Sequence, residues 1–301
     1  MANLRDIRNR ISSIENTQQI TKAMKMVAAA KLRKAQQRML ATRPYAAKMQ
    51  SVVGRLVSGA GADNILLRKP DQAEKILLIV VGSDRGLCGG FNNNLFKVVE
   101  KSIQQHYSDF HNDGKLDLIT IGRKADGYFK KRKYKVVDSH VGFFDNLNYA
   151  HTASIMTDAA DKYAHGQYDK VLVAYNEFKS VIAQNRLVDE VLPIDSDRLK
   201  EVEADTDETE TLAVTEYIYE PDAETILNDI LPAHLNMQLW KAVLESNASE
   251  QGARMAAMDN ATENAKELER ELRLKYNQAR QSAITTEISE IVSGAAALED
   301  M

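Results

Sequence analysis

Residues 75–90 read KILLIVVGSDRGLCGG, a continuous apolar run followed by a glycine-rich loop. An apolar run without alternation is typical of a strand buried on both faces of a sheet. Similar runs follow at 117–122, 134–138 and 169–175, and helical patterns lie between them. Because strands that alternate with helices form mostly parallel sheets, we predict a Rossmann-like α/β domain over residues 75–220.

The last part of this domain carries three weaker patterns. Residues 181–192 are predicted to form a fifth strand, and residues 212–219 (LAVTEYIY) an edge strand. Between them, residues 195–211 contain eight acidic residues against two basic ones, which is typical of a solvated loop.

The first 60 residues predict a long helix with a coiled-coil seam. Apolar residues recur every three or four positions, at Leu4, Ile7, Ile11 and Ile14. After a polar interruption at 16–19 the pattern resumes with a shift, at Ile20, Met24, Val27 and Lys31. Such a shift predicts a stutter, which changes the supercoil locally. Pro44 is predicted to kink this helix or to end its regular part.

Residues 221–301 return to helix. We predict a short helix at 222–231, with Pro232 in the first turn of a final helix that runs to Asp300. Its predicted seam keeps spacings of three or four: Met255, Met258, Thr262, Ala265, Leu268, Leu272, Tyr276, Ala279, Ala283 and Thr286. Many of these residues are small or polar, which predicts a coiled coil that is weak by itself.

Helix length decides how the two ends are arranged. At ~1.5 Å per residue, residues 232–300 extend about 100 Å and residues 3–58 about 84 Å, too long for a compact core. One helix enters the α/β domain and the other leaves it, so they are predicted to pair as one antiparallel two-helix coiled coil. The C-terminal helix is predicted to overhang its partner by about 20 Å.

Charge and composition bound the function. The 301 residues have a net charge of −4, yet residues 1–55 contain twelve Lys or Arg and two acids. A basic arm is compatible with nucleic acid, with anionic lipid or with a solvated helix face. A single cysteine excludes an internal disulfide, and the longest apolar run, 76–81, is too short to span a bilayer. We see no secretory signal or transit peptide.

The glycine-rich loop is the strongest candidate for catalysis, because phosphates bind at strand–loop–helix junctions. However, Gly90 is followed by Phe91 and Asn92 rather than by the Lys-Ser or Lys-Thr pair of a P-loop. A dinucleotide site is also disfavoured, since the second strand lacks a terminal acid. We interpret Asp84 and Arg85 as a local ion pair and Cys88 as a buried bystander. The sequence therefore predicts no catalytic residue, no cofactor, no metal and no enzyme.

Four stretches together resemble the γ subunit of the rotary F-type ATP synthase, bacterial type. They are IRNRISSIENTQQITKAMKMVAAAK (7–31), SDRGLCGGFN (83–92), SEQGARMAAMDNATENA (249–265) and YNQARQSAITTEISEIVSGAAAL (276–298). The last stretch is the most specific, because a generic coiled coil does not require ARQ followed by ITTEISEIVSGA. The resemblance spans nearly the whole chain.

The resemblance implies a central rotor shaft rather than an enzyme. Its coiled coil would occupy the cavity of the α3β3 catalytic hexamer, contacting mainly β, and its globular part would lie beside the ε subunit and the membrane c-ring. Ion-driven rotation of the ring would turn the shaft and change the states of the β catalytic sites. The implied location is the cytoplasmic face of the bacterial plasma membrane, with membrane association only through the complex.

The resemblance also assigns functional residues. Arg280 and Gln281 match a polar catch that contacts loops of β. The other matching coupling positions are Thr285, Glu287, Glu290, Met24 and Arg254. Because Cys88 is the single cysteine, a chloroplast-type thiol switch is excluded.

Two other classes compete with this interpretation. A nucleic-acid-binding coiled-coil protein could use the basic arm, although the acidic remainder and the lack of aromatic residues in 1–40 count against it. A nucleotide-dependent enzyme could use the α/β domain. Salt-dependent DNA binding would test the first, and equilibrium dialysis with ATP and NAD the second.

Overall fold

The computed structural model describes residues 4–60, 64–68, 70, 73–181, 183–194 and 220–299. Its contacts divide the chain into two compact units. The helical unit consists of Met1–Ala29 and Arg254–Met301, and the α/β unit consists of Ala30–Ala253. The predicted acidic loop at 195–211 and edge strand at 212–219 lie outside the described residues.

The α/β unit contains a five-stranded sheet in the order β3-β2-β1-β4-β5. The pairs β1–β2, β1–β4 and β2–β3 are parallel, and only the pair β4–β5 is antiparallel among the described strands. The strands are β1 Ile76–Val81, β2 Leu116–Ile121, β3 Val136–His140, β4 Lys170–Phe178 and β5 Gln184–Leu192. This arrangement confirms the predicted mostly parallel sheet.

Six helices accompany the sheet in the described residues. They are α1 Leu4–Ala60, α2 Phe91–His106, α3 Ser108–Asn112, α4 Arg123–Lys131, α5 Tyr149–Ala164 and α6 Ala223–Glu299. Alternate residues of β1 enter two different cores: Ile76, Leu78 and Val80 pack with α2 and α4, and the other three pack with α1, α5 and α6. Every residue of β1 is buried, as the continuous apolar run predicts.

Strand β3 begins two residues later than predicted. Lys133 adopts a left-handed φ of 63°, which places the next residue in a turn. The Tyr134 ring packs against Phe129 and stacks on His111 instead of entering the sheet. The apolar character of Tyr134 therefore serves the turn and not the strand.

The prediction that Pro232 starts a new helix is wrong, because α6 continues through it from Ala223. Asp222 caps this helix by accepting a hydrogen bond from the Thr225 amide at 2.8 Å. An interior proline costs about 3 kcal/mol, whereas each fully buried leucine contributes about 1.5–3 kcal/mol. Four leucines spaced by four residues flank Pro232 and are fully buried: Leu227, Leu231, Leu235 and Leu239. Helix α1 likewise does not end at Pro44.

The predicted stutter in α1 is also wrong. Within the helical unit the buried and half-buried residues keep one unbroken alternation of three and four, at Ile7, Ile11, Ile14, Gln18, Thr21, Lys25 and Ala28. Ile20 and Val27 lie outside this seam, with exposed fractions of 60% and 57%. The prediction failed because polar Gln18 and Thr21 occupy seam positions while aliphatic residues point outward.

The seam of α6 agrees better with its prediction. Residues that are buried or half-buried as predicted include Met258, Thr262, Ala265, Leu272, Tyr276 and Ala279. Leu268 is exposed, and the half-buried Glu269 stands beside it in the seam. Ala283 and Thr286 are exposed because they lie beyond the start of the partner helix.

Candidate functional site

Polar contacts fix the pairing of α1 with α6 in the helical unit. They join Arg8 to Tyr276 at 2.8 Å, Glu15 to Arg273 at 2.6 Å, Thr21 to Thr262 at 2.7 Å and Lys25 to Asp259 at 2.5 Å. The residue numbers fall along α6 as they rise along α1, which confirms the antiparallel coiled coil. Exposed ion pairs of this kind contribute only about 0–1 kcal/mol each.

Helix α6 extends well past this pairing. Beyond the contact between Arg8 and Tyr276, α6 continues for 23 residues to Glu299, and α1 for four residues to Leu4. The overhang is therefore about 28 Å at ~1.5 Å per residue, longer than the predicted 20 Å. The prediction was short because it assumed that both helices start at the same level.

Five of the seven residues that the resemblance assigns lie on this overhang, and all are exposed: Arg280, Gln281, Thr285, Glu287 and Glu290. Residues separated by three, four or seven positions share a helix face. Arg280 and Glu287 therefore lie on one face, and Gln281 and Thr285 on the adjacent one. At about 100° per residue, Glu290 lies on the far side of Arg280 from Gln281, so the guanidinium, the amide and the two carboxylates are spread over more than half of the helix circumference.

An aliphatic stripe runs beside these polar groups, which sequence reasoning missed. Its members are 47–67% exposed: Ile284, Ile288, Ile291 and Val292. The signal that could have revealed the stripe is the spacing of four and three residues at 284, 288 and 291, with Val292 four residues after Ile288. Contiguous exposed apolar surface is typical of sites that bind another protein, a membrane or a ligand.

Some side-chain donors of the overhang already make hydrogen bonds within α6, and others do not. The Thr285 and Thr286 hydroxyls donate to the carbonyls of Gln281 and Ser282 at 2.9 and 3.0 Å. Such bonds within the helix use the hydroxyl donors. In the described part of the chain, the side chains of Arg280 and Gln281 have no hydrogen-bond partner, so their donors remain available to another protein.

Met24 and Arg254 lie elsewhere in the helical unit. Met24 is half-buried in α1, next to the Lys25 that pairs with Asp259. Arg254 is 9% exposed and lies at the start of the α6 segment that belongs to this unit. Neither residue joins the five on the overhang, so the seven assigned residues do not form one site.

The glycine-rich loop is filled by its own side chains. The Asn92 carbonyl accepts from the Ser83 amide at 3.1 Å, and its amide group donates to the Ser83 hydroxyl at 2.7 Å. Gly122 allows close approach, because a Cβ there would come within 2.9 Å of the Ser83 backbone. Cys88 is buried, as predicted.

Asp84 and Arg85 do not form the predicted ion pair. The buried Asp84 carboxylate accepts from the backbone amides of Arg123, Gly142 and Phe144 at 2.7–3.0 Å. Arg85 pairs instead with Asp145 at 3.0 Å. The prediction failed because backbone donors from two neighbouring loops surround Asp84.

The crevice at the topological switch point, between β1 and β4, is occupied by α6. Ligands of doubly wound sheets bind in this crevice. Here the Ser246 hydroxyl donates to the Val81 carbonyl at 3.3 Å, and the Ser249 hydroxyl donates to the Asn176 carbonyl at 3.2 Å. The helix therefore takes the place that a nucleotide would need.

Among the helices of the described residues, none combines the length and the apolar character needed to cross a membrane.

Residues 3–298 match the ATP synthase family. The chain is 48% identical to the ATP synthase gamma chain of Prosthecochloris aestuarii over 300 residues, with 99% of each chain covered. It is 45% identical to the ATP synthase gamma chain of Salinibacter ruber over 307 residues, with 100% of this chain and 99% of the relative covered.

Two solved structures share the fold of this chain. The rotor of the Euglena gracilis mitochondrial ATP synthase matches with a TM-score of 0.66 at 20% identity, over 93% of this chain and 98% of that chain. The central stalk and c-ring structure of the Tetrahymena thermophila mitochondrial ATP synthase matches with a TM-score of 0.58 at 26% identity, over 80% and 99%.

Proposed function

Since this chain belongs to the ATP synthase gamma-chain family, we propose that it is the central rotor shaft of an F-type ATP synthase. The shaft transmits torque between the membrane c-ring and the catalytic αβ hexamer. The exposed overhang of α6, with its available Arg280 and Gln281 donors beside an aliphatic stripe, is the observation that carries this proposal.

The asymmetry of the coiled coil explains how one shaft can hold three catalytic sites in different states. Polar catch residues and aliphatic residues occupy only part of the circumference of α6, and they extend beyond α1. Three β subunits around such a helix meet three different surfaces at any moment. Rotation passes each surface to the next β subunit in turn, so that the three catalytic sites occupy different states.

The shaft itself is non-catalytic in this proposal. Arg280 and Gln281 donate hydrogen bonds to loops of β at certain rotor angles only. A hydrogen bond to a charged group contributes about 1.5–3 kcal/mol, enough to bias a conformational state of β. Thr285, Glu287, Glu290, Met24 and Arg254 contribute to coupling through the same helical unit. The filled glycine-rich loop and the occupied switch-point crevice support this assignment.

The remaining partners follow from the proposed rotor. The α/β unit contacts the ε subunit and the c-ring, and the complex lies on the cytoplasmic face of a bacterial plasma membrane as a peripheral assembly. Kinship with bacterial gamma chains supports this location. The nucleic-acid-binding hypothesis gains no support from these relatives, and we do not retain it.

Co-expression with the α and β subunits of the same source tests the proposal. The chain is expected to co-purify with them as one copy per α3β3 hexamer, and to hydrolyse no ATP alone. A chain that elutes separately from an intact hexamer, or that hydrolyses ATP when free of β, would contradict the proposal.

A further inference from the structure

The α/β unit contains a cavity of about 610 Å³, and none of the residues that the resemblance assigns to coupling lines it. It lies between α1, the β4–β5 pair and α6. Its apolar lining includes Ala46, Ala47, Val173, Met237 and Ala242. This volume and this mixture of apolar surface with a few polar groups are typical of small-molecule sites.

Glu245 is the decisive side chain in this cavity. Its residue is only 2% exposed, and its carboxylate accepts a hydrogen bond from the Phe178 amide. In the described part of the chain its Oε2 atom has no hydrogen-bond partner. A buried carboxylate oxygen without a donor is unfavourable, and burial raises the pKa of Glu245 accordingly.

Further acceptors line the same cavity. Asp189 accepts from the Tyr175 hydroxyl at 3.2 Å and keeps lone pairs for another donor. Glu177 pairs with Lys179 at 3.1 Å, and Glu190 with Lys170 at 3.0 Å. The lining is therefore rich in hydrogen-bond acceptors.

Two positive groups of the lining, Lys241 and Arg43, lower the pKa of Glu245, but by less than burial raises it. Arg43 and Lys241 are exposed, so water and salt screen their charges. Burial lowers the pKa of His234 to about 4, so its imidazole is uncharged at neutral pH. The buried carboxylate consequently lacks a donor at Oε2, and the nearby positive charges offset its burial only in part.

We propose that this cavity binds a small organic cation, an amine or guanidinium compound, through Glu245. The Glu245 Oε2 atom has almost no exposed surface in this structure, so the carboxylate turns towards the cavity to accept from the cationic nitrogen. The nitrogen also donates to Asp189, and its methylene stem lies on the alanine, valine and methionine surface. Such a stem covers apolar surface while its charged end makes ionic contacts. This inference does not rest on the rotor function.

Calorimetric titration of the full chain with agmatine tests the proposal, because agmatine has a guanidinium and an ammonium joined by methylenes. We expect saturable binding of one agmatine per chain at ~0.15 M salt, where exposed charges are screened. Glu245→Gln keeps the shape and removes the charge, and should weaken binding at least about tenfold. Glu263→Gln, on the same helix but with its side chain 75% exposed, is the matched control and should bind normally.

A second variant protects the test against misfolding of the first. Ala46→Trp fills the cavity from α1 without touching a carboxylate. Agmatine should raise the melting temperature of the wild-type chain and leave that of Ala46→Trp unchanged. The proposal is overturned if agmatine does not saturate, if both glutamate variants weaken binding equally, or if Ala46→Trp binds as the wild type does.

Discussion

At the scale of single residues, Asp84 holds together the loops that follow three neighbouring strands. Its carboxylate satisfies three backbone amides that would otherwise lack an acceptor. Asp84→Ala should lower the free energy of unfolding by at least about 3 kcal/mol, since it leaves three buried donors unsatisfied and each costs about 1–3 kcal/mol. Urea unfolding of the full chain measures this change.

Asp145→Ala is the matched control for Asp84. It removes a carboxylate from an ion pair whose side chains are 65–69% exposed. Its effect on the free energy of unfolding should stay below about 1 kcal/mol. Equal effects of the two substitutions would show that the backbone contacts of Asp84 stabilise the fold no more than an exposed ion pair does.

The buried His234 makes stability depend on pH. Burial lowers its pKa from about 6.5 to about 4, so the unfolded chain binds more protons than the folded chain between these values. Stability is therefore complete above about pH 6.5 and falls as the pH drops towards 4. Between pH 7.5 and pH 5 the loss from His234 should be about 2 kcal/mol.

His234→Gln keeps a polar side chain beside Gln238 and removes the titrating group. We expect urea unfolding of this variant to show about 2 kcal/mol less pH dependence between pH 7.5 and pH 5 than the wild type. An identical pH dependence in both chains would mean that the pKa of His234 is the same in the folded and in the unfolded chain.

At the scale of elements, periodicity predicted the strands well and the helix seams unevenly. All residues of the run at 76–81 are buried in the sheet, so burial alone explains why each of them is apolar. In α1, by contrast, an aliphatic residue can face either the partner helix or another protein. Ile20 and Val27 are exposed while Thr21 is buried. Hydrophobicity alone could not distinguish these two roles.

Pro232 gives a second test at this scale. Alanine at this position would restore an amide that can donate to the Asn228 carbonyl, but it would also enlarge the conformational freedom of the unfolded chain. We expect Pro232→Ala to raise the free energy of unfolding by about 1–2 kcal/mol, less than the full cost of about 3 kcal/mol for an interior proline. A thermal melt that shows destabilisation would mean that the proline shapes α6 in a way the leucine packing requires.

At the scale of the whole molecule, helix length is what the sequence shows most directly. A 57-residue helix and a 77-residue helix exceed any compact core, so each must continue beyond one. The aliphatic stripe of the overhang could have been found by spacing alone. The roles of Arg280 and Gln281 could not, because an exposed arginine on a helix has no distinctive pattern without its partner. Those roles came from the resemblance.

The central claim is that Arg280 and Gln281 form a catch with β. Both are exposed on a helix whose backbone bonds are complete, so their replacement opens no cavity. Arg280→Ala with Gln281→Ala should leave folding and hexamer assembly intact and remove bonds of about 1.5–3 kcal/mol each. Lys275→Ala with Asn277→Ala removes one cation and one amide from the paired part of α6 and serves as the control.

The decisive measurement is ATP hydrolysis together with ATP-driven ion pumping by assembled complexes that carry the double substitution. Because the bonds form only at certain rotor angles, we expect turnover and coupling to fall well below those of the wild type and of the control, with assembly unchanged. Normal assembly with unchanged rates of both hydrolysis and pumping would contradict the catch. Failed assembly would contradict it as well, because the two residues would then act mainly as structural contacts.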